Sequence, residues 1–354
     1  MSNKNLLSGR DKELQELAEQ YEAAMAGNKP FYQDADELAD LADWYGTKKR
    51  YDKAFEIAEY GLKLHPDSTE LMIEYAYLHL DSGKRAKARE IIENLPDTYS
   101  PEAKVVRAHL LLSEGKLDDA EQLLDTIEDK DDLANVVDVS YMYLDMGYPD
   151  KALAWLDPVK EEYSNEEAYI AVVADCLYGK GMTEEAIPLY NRLIDMNPYS
   201  APYWFGLARC HFEEMNFNQA IDACDYALVS DDEFADAYVM KGHCFYQLGN
   251  EDAALECYQK AEQMHGLAPE FVYTYIGLCK VSKGEWEEGY ENLEKAIQAN
   301  EAEETPAPTL PSLYANAGLC LSKMKKKRKA HQYCKKAQKL EPKDPEAYLI
   351  EGRM

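Results

Sequence analysis

The hydrophobic positions of the chain recur with the spacing of α-helices. Between residues 201 and 230, for example, Tyr203, Leu207 and Cys210 mark one apolar face. Spacings of three and four residues place side chains on the same side of a helix. No convincing alternation of apolar and polar residues interrupts these faces. Because such alternation is the mark of half-buried strands, the pattern predicts an all-α protein.

The predicted helices repeat along the chain with a nearly constant period. A small residue inside short amphipathic runs marks the phase, and a second small residue stands twelve positions before it. The intervals between successive markers are 34, 32, 32, 34, 34, 34, 35 and 41 residues. Two helices cross closely only where both carry small side chains, so each pair predicts one helix–turn–helix unit. The markers are Ala54, Ala88, Ala120, Ala152, Ala186, Ala220, Ala254, Gly289 and Ala330, and their partners are Ala42, Ala76, Ala108, Ser140, Ala174, Ala208, Gly242, Gly277 and Gly318.

Glycine and proline residues mark the turns and ends of these units. A glycine stands five residues before the marker in six units, where it supplies the backbone freedom of a short turn. A proline twelve residues after the marker closes the second helix in three units, because proline cannot continue a helix. The two 32-residue intervals predict shortened connections near Pro96 and Asp129. The glycines are Gly83, Gly115, Gly147, Gly181, Gly249 and Gly284, and the prolines are Pro66, Pro198 and Pro342.

This combination of small residues, turn glycine and closing proline on a 34-residue period resembles the tetratricopeptide repeat (TPR) family. The best single match begins at Ala201 and carries Trp204, Leu207, Ala208 and Ala220 in the phases of the family pattern. The resemblance covers residues 35 to 352. It implies an α-solenoid superhelix of about nine repeats with helical caps.

The same phase divides the chain into four segments. Residues 1–34 are predicted to hold a capping helix, and residues 35–300 to form repeats one to eight. Residues 301–310 are a Pro-rich acidic linker, acting either as a hinge or as a surface loop. Residues 311–354 are predicted to form repeat nine and a C-terminal capping helix.

The charge of the chain argues against broad contact with nucleic acid. The 354 residues include 67 Asp and Glu against 38 Lys and Arg, a net charge of −29. Phosphate binding depends on clustered Lys and Arg, which most of this sequence lacks. No secretory signal and no membrane helix are visible, and eight cysteines are too few for a disulfide framework. These features predict a cytoplasmic protein.

Catalytic and metal-binding patterns are not found in the sequence. There is no Gly-rich phosphate loop, no HExxH, no GxSxG and no EF-hand spacing. His79 and His211 fall on apolar helix positions, which favours packed rings over metal ligands. The recurring cysteines are compatible with a redox or metal ribbon, but buried packing is favoured because cysteine is a small hydrophobe. We therefore expect no enzymatic activity, no metal and no cofactor.

The resemblance implies that the first helices line a concave groove. In the first repeats its positions are mostly acidic, and further along they are aromatic. The positions in the first two repeats are Asp36, Asp40, Asp43, Glu70 and Glu74, together with Tyr77. This favours a protein or peptide ligand with Lys or Arg beside apolar anchors, and argues against a carboxylate clamp. The alternative is that the acids only solubilise the groove and the aromatics contact each other. The residues expected to bind the partner are Asp138, Tyr141, Asp145, Asp175, Tyr178, Phe205, Arg209, Phe212, His243, Tyr246 and Tyr275.

One basic segment opposes the acidic remainder. Residues 323–343 carry a charge of +9, whereas residues 1–322 carry −36. The segment is compatible with contact to RNA or a ribosome, docking of an acidic protein, head-to-tail pairing with another copy, or simple solvation. The sequence therefore predicts a non-enzymatic scaffold that binds a protein segment in its groove, with a ribosome- or RNA-associated factor as the alternative. The residues of the basic rim are Lys325, Lys326, Lys327, Arg328 and Lys329.

Overall fold

The computed structural model describes residues 8–27, 29–264, 266–302, 307–343 and 345–352. Within these ranges every regular element is a helix, and no strand is present. The prediction of an all-α protein built from helix–turn–helix repeats is confirmed. The chain divides into two units, called here unit 1 (Met1–Glu214) and unit 2 (Met215–Met354).

Unit 1 begins with the single helix α1 (Ser8–Ala26) and continues as a series of helix pairs. A 3₁₀ turn (Asp157–Val159) and the short α10 (Lys160–Tyr163) separate the fourth pair from the fifth, and α13 (Ala201–Glu213) ends the unit. The pairs are α2 (Ala35–Thr47) with α3 (Tyr51–Leu64), α4 (Thr69–Asp81) with α5 (Arg85–Glu93), α6 (Pro101–Ser113) with α7 (Leu117–Leu124), α8 (Leu133–Asp145) with α9 (Pro149–Leu156), and α11 (Glu167–Gly179) with α12 (Thr183–Met196).

Unit 2 has the same construction. It begins with α14 (Phe217–Ser230) and ends with the short α21 (Pro345–Gly352), which packs on the last helix pair. The pairs between them are α15 (Ala235–Gln247) with α16 (Glu251–Glu262), α17 (Pro269–Ser282) with α18 (Trp286–Ala302), and α19 (Leu310–Lys323) with α20 (Lys327–Leu340).

The small residues that mark the repeat phase lie where the helices approach each other. All eighteen of them are buried. In the fourth pair the two marked positions touch directly, because the Ser140 hydroxyl donates a hydrogen bond of 3.2 Å to the Ala152 carbonyl. In α15 a Cβ built on Gly242 would lie 2.7 Å from Cε1 of Tyr258. The close crossing predicted from the sequence is thus confirmed.

The turn inside each pair requires a left-handed residue at one fixed position. The six predicted glycines have φ values between 70° at Gly83 and 78° at Gly147. In the remaining three turns, Lys49, Met215 and Lys325 stand at the same position with φ values of 58°, 57° and 60°. A side chain in this region is strained, whereas glycine is not. The turn geometry therefore belongs to the repeat and does not depend on glycine.

The two 32-residue intervals have a different origin from the one predicted. The connections near Pro96 and Asp129 are not shortened. Instead the second helices of these pairs are short: α5 has 9 residues and α7 has 8, whereas α3 has 14. Helix α5 stops at Glu93 because proline at position 96 disfavours helix for the residues before it. The connections that follow run from 94 to 100 and from 125 to 132.

The two ends of the predicted linker are held by the helices beside them. Helix α18 continues to Ala302, and the Asn300 side chain accepts a hydrogen bond of 2.8 Å from the backbone amide of Ala307. Asn300 itself is buried. Residues 303–306, the middle of the predicted linker, lie outside the described residues.

Candidate functional site

Unit 1 contains a cavity of about 540 Å³ between the first helices of its first four pairs. Helices α2, α4, α6 and α8 supply most of its lining, and the connection before α6 supplies the rest. Eight of the sixteen lining residues are Asp or Glu, and none of the described residues that line it is Lys or Arg. We refer to it below as the acidic cavity.

The lining residues are arranged in rows that cross from one helix to the next. In α2 and α4 the same spacing recurs: an acidic residue, an apolar residue three positions later, and a second acidic residue directly after it. Acidic and apolar side chains therefore lie side by side in the lining. The first acidic row is Asp36, Glu70 and Glu102, the apolar row is Ala39, Ile73 and Val105, and the second acidic row is Asp40, Glu74 and Asp138.

His109, Tyr77 and Met142 also line the cavity, and all three are buried. The His109 ring contacts the Tyr77 ring at an interplanar angle of 55°, with ring centroids 5.7 Å apart. No hydrogen bond to its ring nitrogens is found among the described residues. Burial lowers the pKa of His109 to about 4, so the imidazole is neutral at pH 7. A neutral imidazole offers one donor and one acceptor nitrogen to a ligand.

The acids are close enough to influence one another. Desolvation raises the pKa of Asp145, which lines the cavity, and the like charges of Asp81 and Asp175 raise it further. Burial, followed by the charges of Asp138 and Glu74, raises the pKa of Tyr77 well above its ordinary value. The cavity therefore brings several carboxylates close together.

The predicted residues in the last helices of unit 1 form a network of internal contacts. Asp175 accepts hydrogen bonds from the Tyr190 hydroxyl at 2.6 Å and from the Arg209 guanidinium at 2.8 Å. The Tyr141 hydroxyl donates a longer bond of 3.4 Å to the same carboxylate. Arg209 lies over the rings of Tyr178 and Phe205, at 4.3 and 5.6 Å from their centroids. The structure thus brings together five of the predicted residues, and they contact one another. The five are Tyr141, Asp175, Tyr178, Phe205 and Arg209.

Phe212 lies one turn beyond Arg209 on α13 and is half-buried. Its role in binding a partner stays a prediction.

The predicted residues of unit 2 belong to a second aromatic cluster. The Nδ1 atom of His243 lies 2.7 Å from the Tyr258 hydroxyl, and its ring contacts Tyr275 with centroids 4.3 Å apart. Tyr258 and Tyr275 are stacked at 5.4 Å. Burial lowers the pKa of His243 to about 4. Tyr246 is half-buried. These contacts are of the kind expected if the aromatic residues pack against each other.

The basic rim lies at the turn between α19 and α20 and in the first turn of α20. Lys325, Lys326, Lys327, Arg328 and Lys329 are all exposed. Lys329 lies over the Tyr290 ring at 5.8 Å. Further along α20 the bases have partners, with Lys336 3.4 Å from Glu301 and Lys335 3.7 Å from Glu351.

The cysteines are arranged as packing residues. All eight are free and buried, and burial raises the pKa of each thiol, to about 12 for Cys176 and about 11 for Cys210. Over the described ranges there is no group of three or more His, Cys, Asp or Glu side chains placed to hold a metal ion. In that same part of the chain, no helix combines the length and the apolar character needed to cross a membrane.

The third repeat contributes residues to the acidic cavity that were not predicted from the sequence. Asp97, Ser100, Glu102, Val105 and His109 all line it. A signal for His109 was present, because it directly follows the small residue of its helix, as Tyr77, Tyr141, Asp175, Arg209 and His243 do in theirs. Asp97 and Ser100 precede the helix, so the helical phase gives no indication of them.

Three family models match the chain in separate places. Two are described as tetratricopeptide repeat and match residues 47–100 and 311–344. The third is described as anaphase-promoting complex, cyclosome, subunit 3, and matches residues 179–261.

Similar proteins include a curated relative in a bacterium. The TPR repeat-containing protein YpiA of Bacillus subtilis (strain 168) is 28% identical over 142 residues, which are 38% of this chain and 33% of the relative. The match thus spans about a third of that protein.

Among solved structures, YrrB, a TPR protein with an unusual peptide-binding site, is 18% identical, with 56% of this chain and 97% of that one covered and a TM-score of 0.47. A tetratricopeptide repeat protein of Parabacteroides merdae is 18% identical, with 69% and 98% covered and a TM-score of 0.48. The APC/C hetero-tetramer Cut9–Hcn1 is 13% identical, with 90% and 83% covered and a TM-score of 0.49.

The assignment rests on the family models and on the recurrence of close-crossing helix pairs with a left-handed turn residue. Repeats of this family typically form non-enzymatic scaffolds for protein–protein interaction. On this evidence the chain contains tetratricopeptide repeats.

Proposed function

We propose that the protein is a non-enzymatic adaptor whose acidic cavity binds a segment of a partner protein that carries Lys or Arg around apolar side chains. The observation that carries the proposal is that eight acidic residues line one cavity together with Ala39, Ile73 and Val105. Carboxylates attract and orient cations, while the apolar side chains offer surface that a ligand can desolvate. No Lys or Arg is found among the described residues that line the cavity.

The network around Asp175 supports the same choice of ligand. Arg209 is the one basic residue predicted for the groove of unit 1, and its guanidinium is already paired with Asp175 and stacked on Tyr178. It therefore does not offer an unpaired positive charge to an anionic ligand. A partner bearing an acidic motif is therefore disfavoured in this unit, because the cavity lining is acidic and because Arg209 is already paired.

We propose the cytoplasm as the place where the protein acts. All eight cysteines are free. Unpaired thiols are typical of reducing compartments, where disulfides rarely persist.

Fluorescent peptides of matched apolar content, one rich in Lys and one rich in Glu, test the proposal by anisotropy. We expect only the Lys peptide to bind, with an affinity that falls about tenfold as salt is raised, because exposed charges are screened. The triple substitution Asp36→Asn, Asp138→Asn and Asp145→Asn should weaken binding by a similar factor.

A matched control uses three exposed acids of unit 1 that lie outside the cavity. The substitutions Glu93→Gln, Glu128→Gln and Glu161→Gln remove the same charge. They should leave the affinity almost unchanged if location matters more than total charge. Equal effects of the two triple variants would contradict the assignment of the site.

The basic rim supports a second candidate function, contact with RNA or with the acidic cavity of another copy. Its five bases are consecutive and exposed, and among the described residues no partner is found for Lys325, Lys326 or Arg328. Neutralising residues 325–329 should abolish salt-dependent self-association in sedimentation, or RNA retention in a gel shift. If neither activity is detected in the native protein, this candidate is wrong.

A further inference from the structure

We infer that the basic rim and the aromatic rings beside it bind a single-stranded nucleic acid by stacking its nucleobases. The inference rests on the second candidate function, contact of the rim with RNA, and specifies the form of the ligand and the contacts that hold it. It does not depend on the acidic cavity. Three features of unit 2 lead to it: a row of half-buried rings, a lysine beside each ring, and the spacing of two rings along one helix.

Three half-buried aromatic side chains lie next to the basic residues of the last helix pair. Trp286 and Tyr290 belong to α18, and Tyr333 belongs to α20. We call these three residues the aromatic row. The Tyr290 and Tyr333 rings contact each other, with centroids 6.1 Å apart. The basic rim itself contains no aromatic residue, so the packing of α18 against the last pair brings the rings to it.

A lysine lies over each ring of the aromatic row. A cation over an exposed ring is a weak contact in water, whereas a nucleobase stacked on the ring is a stronger one. A nucleobase can therefore replace the ammonium group on the ring, and the ammonium group can then pair with a neighbouring phosphate. The pairs, with the distance from Nζ to the ring centroid, are Lys323 with Trp286 at 5.6 Å, Lys329 with Tyr290 at 5.8 Å, and Lys336 with Tyr333 at 5.8 Å.

The two ends of the aromatic row differ in their charge. Lys336, beside Tyr333, is 3.4 Å from the Glu301 carboxylate. The lysines beside Trp286 and Tyr290 are exposed, and no ion pair to them is found among the described residues. We therefore expect nucleobases to stack on Trp286 and Tyr290.

The spacing of these two rings favours a single strand. Trp286 and Tyr290 are four residues apart on α18, which places their Cβ atoms about 5–6 Å apart. Successive nucleotides in one strand of a duplex rise by only about 3.4 Å. A strand that uses both rings must therefore separate its nucleobases, which a single strand does without loss of base pairs.

The acids of the chain oppose this contact only locally. At physiological ionic strength charges are screened beyond about 8 Å, so most of the net charge of −29 acts weakly at the rim. Glu287 and Glu291 are exposed on α18, in the turns that carry the two rings. Replacing both by Gln should strengthen the binding of nucleic acid by about threefold.

Fluorescent strands of about 12 nucleotides test the inference on the full-length chain by anisotropy. They are an oligouridylate, an oligothymidylate, and an abasic strand that carries the same phosphates without nucleobases. We expect the first two to bind about tenfold more tightly than the abasic strand, and more tightly than a duplex of the same length. Tighter binding of the oligouridylate or of the oligothymidylate identifies RNA or DNA as the source of the strand.

Variants locate the contact on the protein. Trp286→Leu combined with Tyr290→Leu keeps apolar side chains at both positions, and should weaken oligouridylate binding by about tenfold. It should also remove most of the quenching of tryptophan fluorescence that the strand causes in the native protein. Tyr238→Leu is the matched control, because Tyr238 is half-buried with Lys260 at 5.6 Å but lies on α15, outside the aromatic row. It should leave the affinity unchanged.

The basic rim is tested separately by its effect on salt dependence. The triple substitution Lys325→Gln, Lys326→Gln and Arg328→Gln should reduce the slope of log affinity against log salt by about 2, because each phosphate contact to a single strand contributes about 0.7. An unchanged slope would show that the rim does not contact the strand, and would overturn the inference.

The outcomes separate stacking from simple attraction of charges. Equal affinity for the abasic strand and the two others, or unchanged affinity of the Trp286→Leu and Tyr290→Leu variant, would overturn the stacking and leave an electrostatic contact of the rim with RNA in place. If no strand binds at low salt, the inference and the RNA contact of the second candidate function both fail, and the acidic cavity is unaffected. Retention by phosphatidylserine vesicles without binding of any strand would assign the rim to an anionic membrane surface and overturn the inference.

Discussion

Arg209 donates a hydrogen bond of 2.8 Å to Asp175, one repeat away along the chain. Both side chains are less than a third exposed, at 29% and 26%. The pair links α11 to α13, and the Tyr190 hydroxyl from α12 donates to the same carboxylate at 2.6 Å. Asp175, which the sequence predicts to bind a partner, thus holds neighbouring repeats together.

Replacing Asp175 by Asn should destabilise the protein. The substitution leaves the Arg209 guanidinium partly buried without its counter-ion, at a cost of about 1–3 kcal/mol in the free energy of unfolding. Urea unfolding followed by circular dichroism measures the change. Glu93→Gln, an exposed substitution in the same unit, should change the free energy by less than about 0.5 kcal/mol. An equally small effect of Asp175→Asn would show that the pair does not stabilise the stack.

Replacing Gly206 by Ala should also destabilise the protein. A Cβ at this position would lie 2.2 Å from Cε1 of Tyr190, whose side chain is 2% exposed and has no room to move. Overpacking of this kind costs about 1–3 kcal/mol.

Gly46→Ala in α2 is the matched control for Gly206→Ala, because its new Cβ would lie 3.6 Å from Leu78, an ordinary contact. It should stabilise the protein by about 0.5–1 kcal/mol, since alanine is the better helix former. Thermal unfolding of the two variants should shift the melting temperature in opposite directions. A shift of both in the same direction would contradict the prediction.

Replacing His109 by Leu should change how stability depends on pH. Burial lowers the pKa of His109 from 6.5 to about 4, so the folded state resists protonation. The stability associated with a depressed pKa is present above pH 6.5 and is lost as the pH falls towards 4. The variant should lose less stability over this window than the native protein. The cavity acids are common to both proteins, so they largely cancel in the comparison.

The same variant tests the role of His109 in binding. Because His109 lines the acidic cavity, we expect His109→Leu to weaken binding of the Lys-rich peptide. Parallel stability curves together with unchanged binding would show that the imidazole is only a packing residue.

The cysteines should react slowly in the folded protein. All eight are buried, and burial raises the pKa of Cys244, Cys279 and Cys320 to about 12. Because thiolates are the reactive form, titration with a thiol reagent at pH 8 should proceed at the rate of unfolding. A raised pKa also means that the associated stability is present below pH 9 and is lost as the pH rises towards 12. Fast reaction of five or more thiols in the native state would contradict this assignment.

The repeat phase predicts the fold well because one local geometry recurs. Ala54 and Ala42 are small for the same reason as Ala186 and Ala174, so a single physical rule accounts for every pair. Even the turns without glycine obey it, since Lys325 adopts the left-handed conformation that the neighbouring helices require. The prediction of shortened connections near Pro96 and Asp129 was wrong, because the shortening lies in helices α5 and α7. Helix ends depend on the loops that follow them, and a repeat interval does not locate them.

The candidate site was predictable in part. The phase locates Asp36, Glu70 and Asp138 on one side of their helices, and the structure brings them to one cavity. The repeat phase did not distinguish Asp175 from Asp145. In the structure Asp175 forms an ion pair with Arg209, whereas burial raises the pKa of Asp145. That distinction depends on which side chains from different repeats meet, and sequence spacing does not determine it.

The sequence by itself determined the repeat, the helical class and the sign of the charge on each part of the chain. Small residues at a fixed spacing impose close helix crossings wherever they occur, and net charge is a sum over residues. Only the tertiary structure decided that acids from four repeats meet in one cavity, that His109 is buried in its lining, and that Asp175 is paired with Arg209. Pairing and desolvation act over a few ångströms between residues that are distant in the chain, so they exist only once the helices are packed.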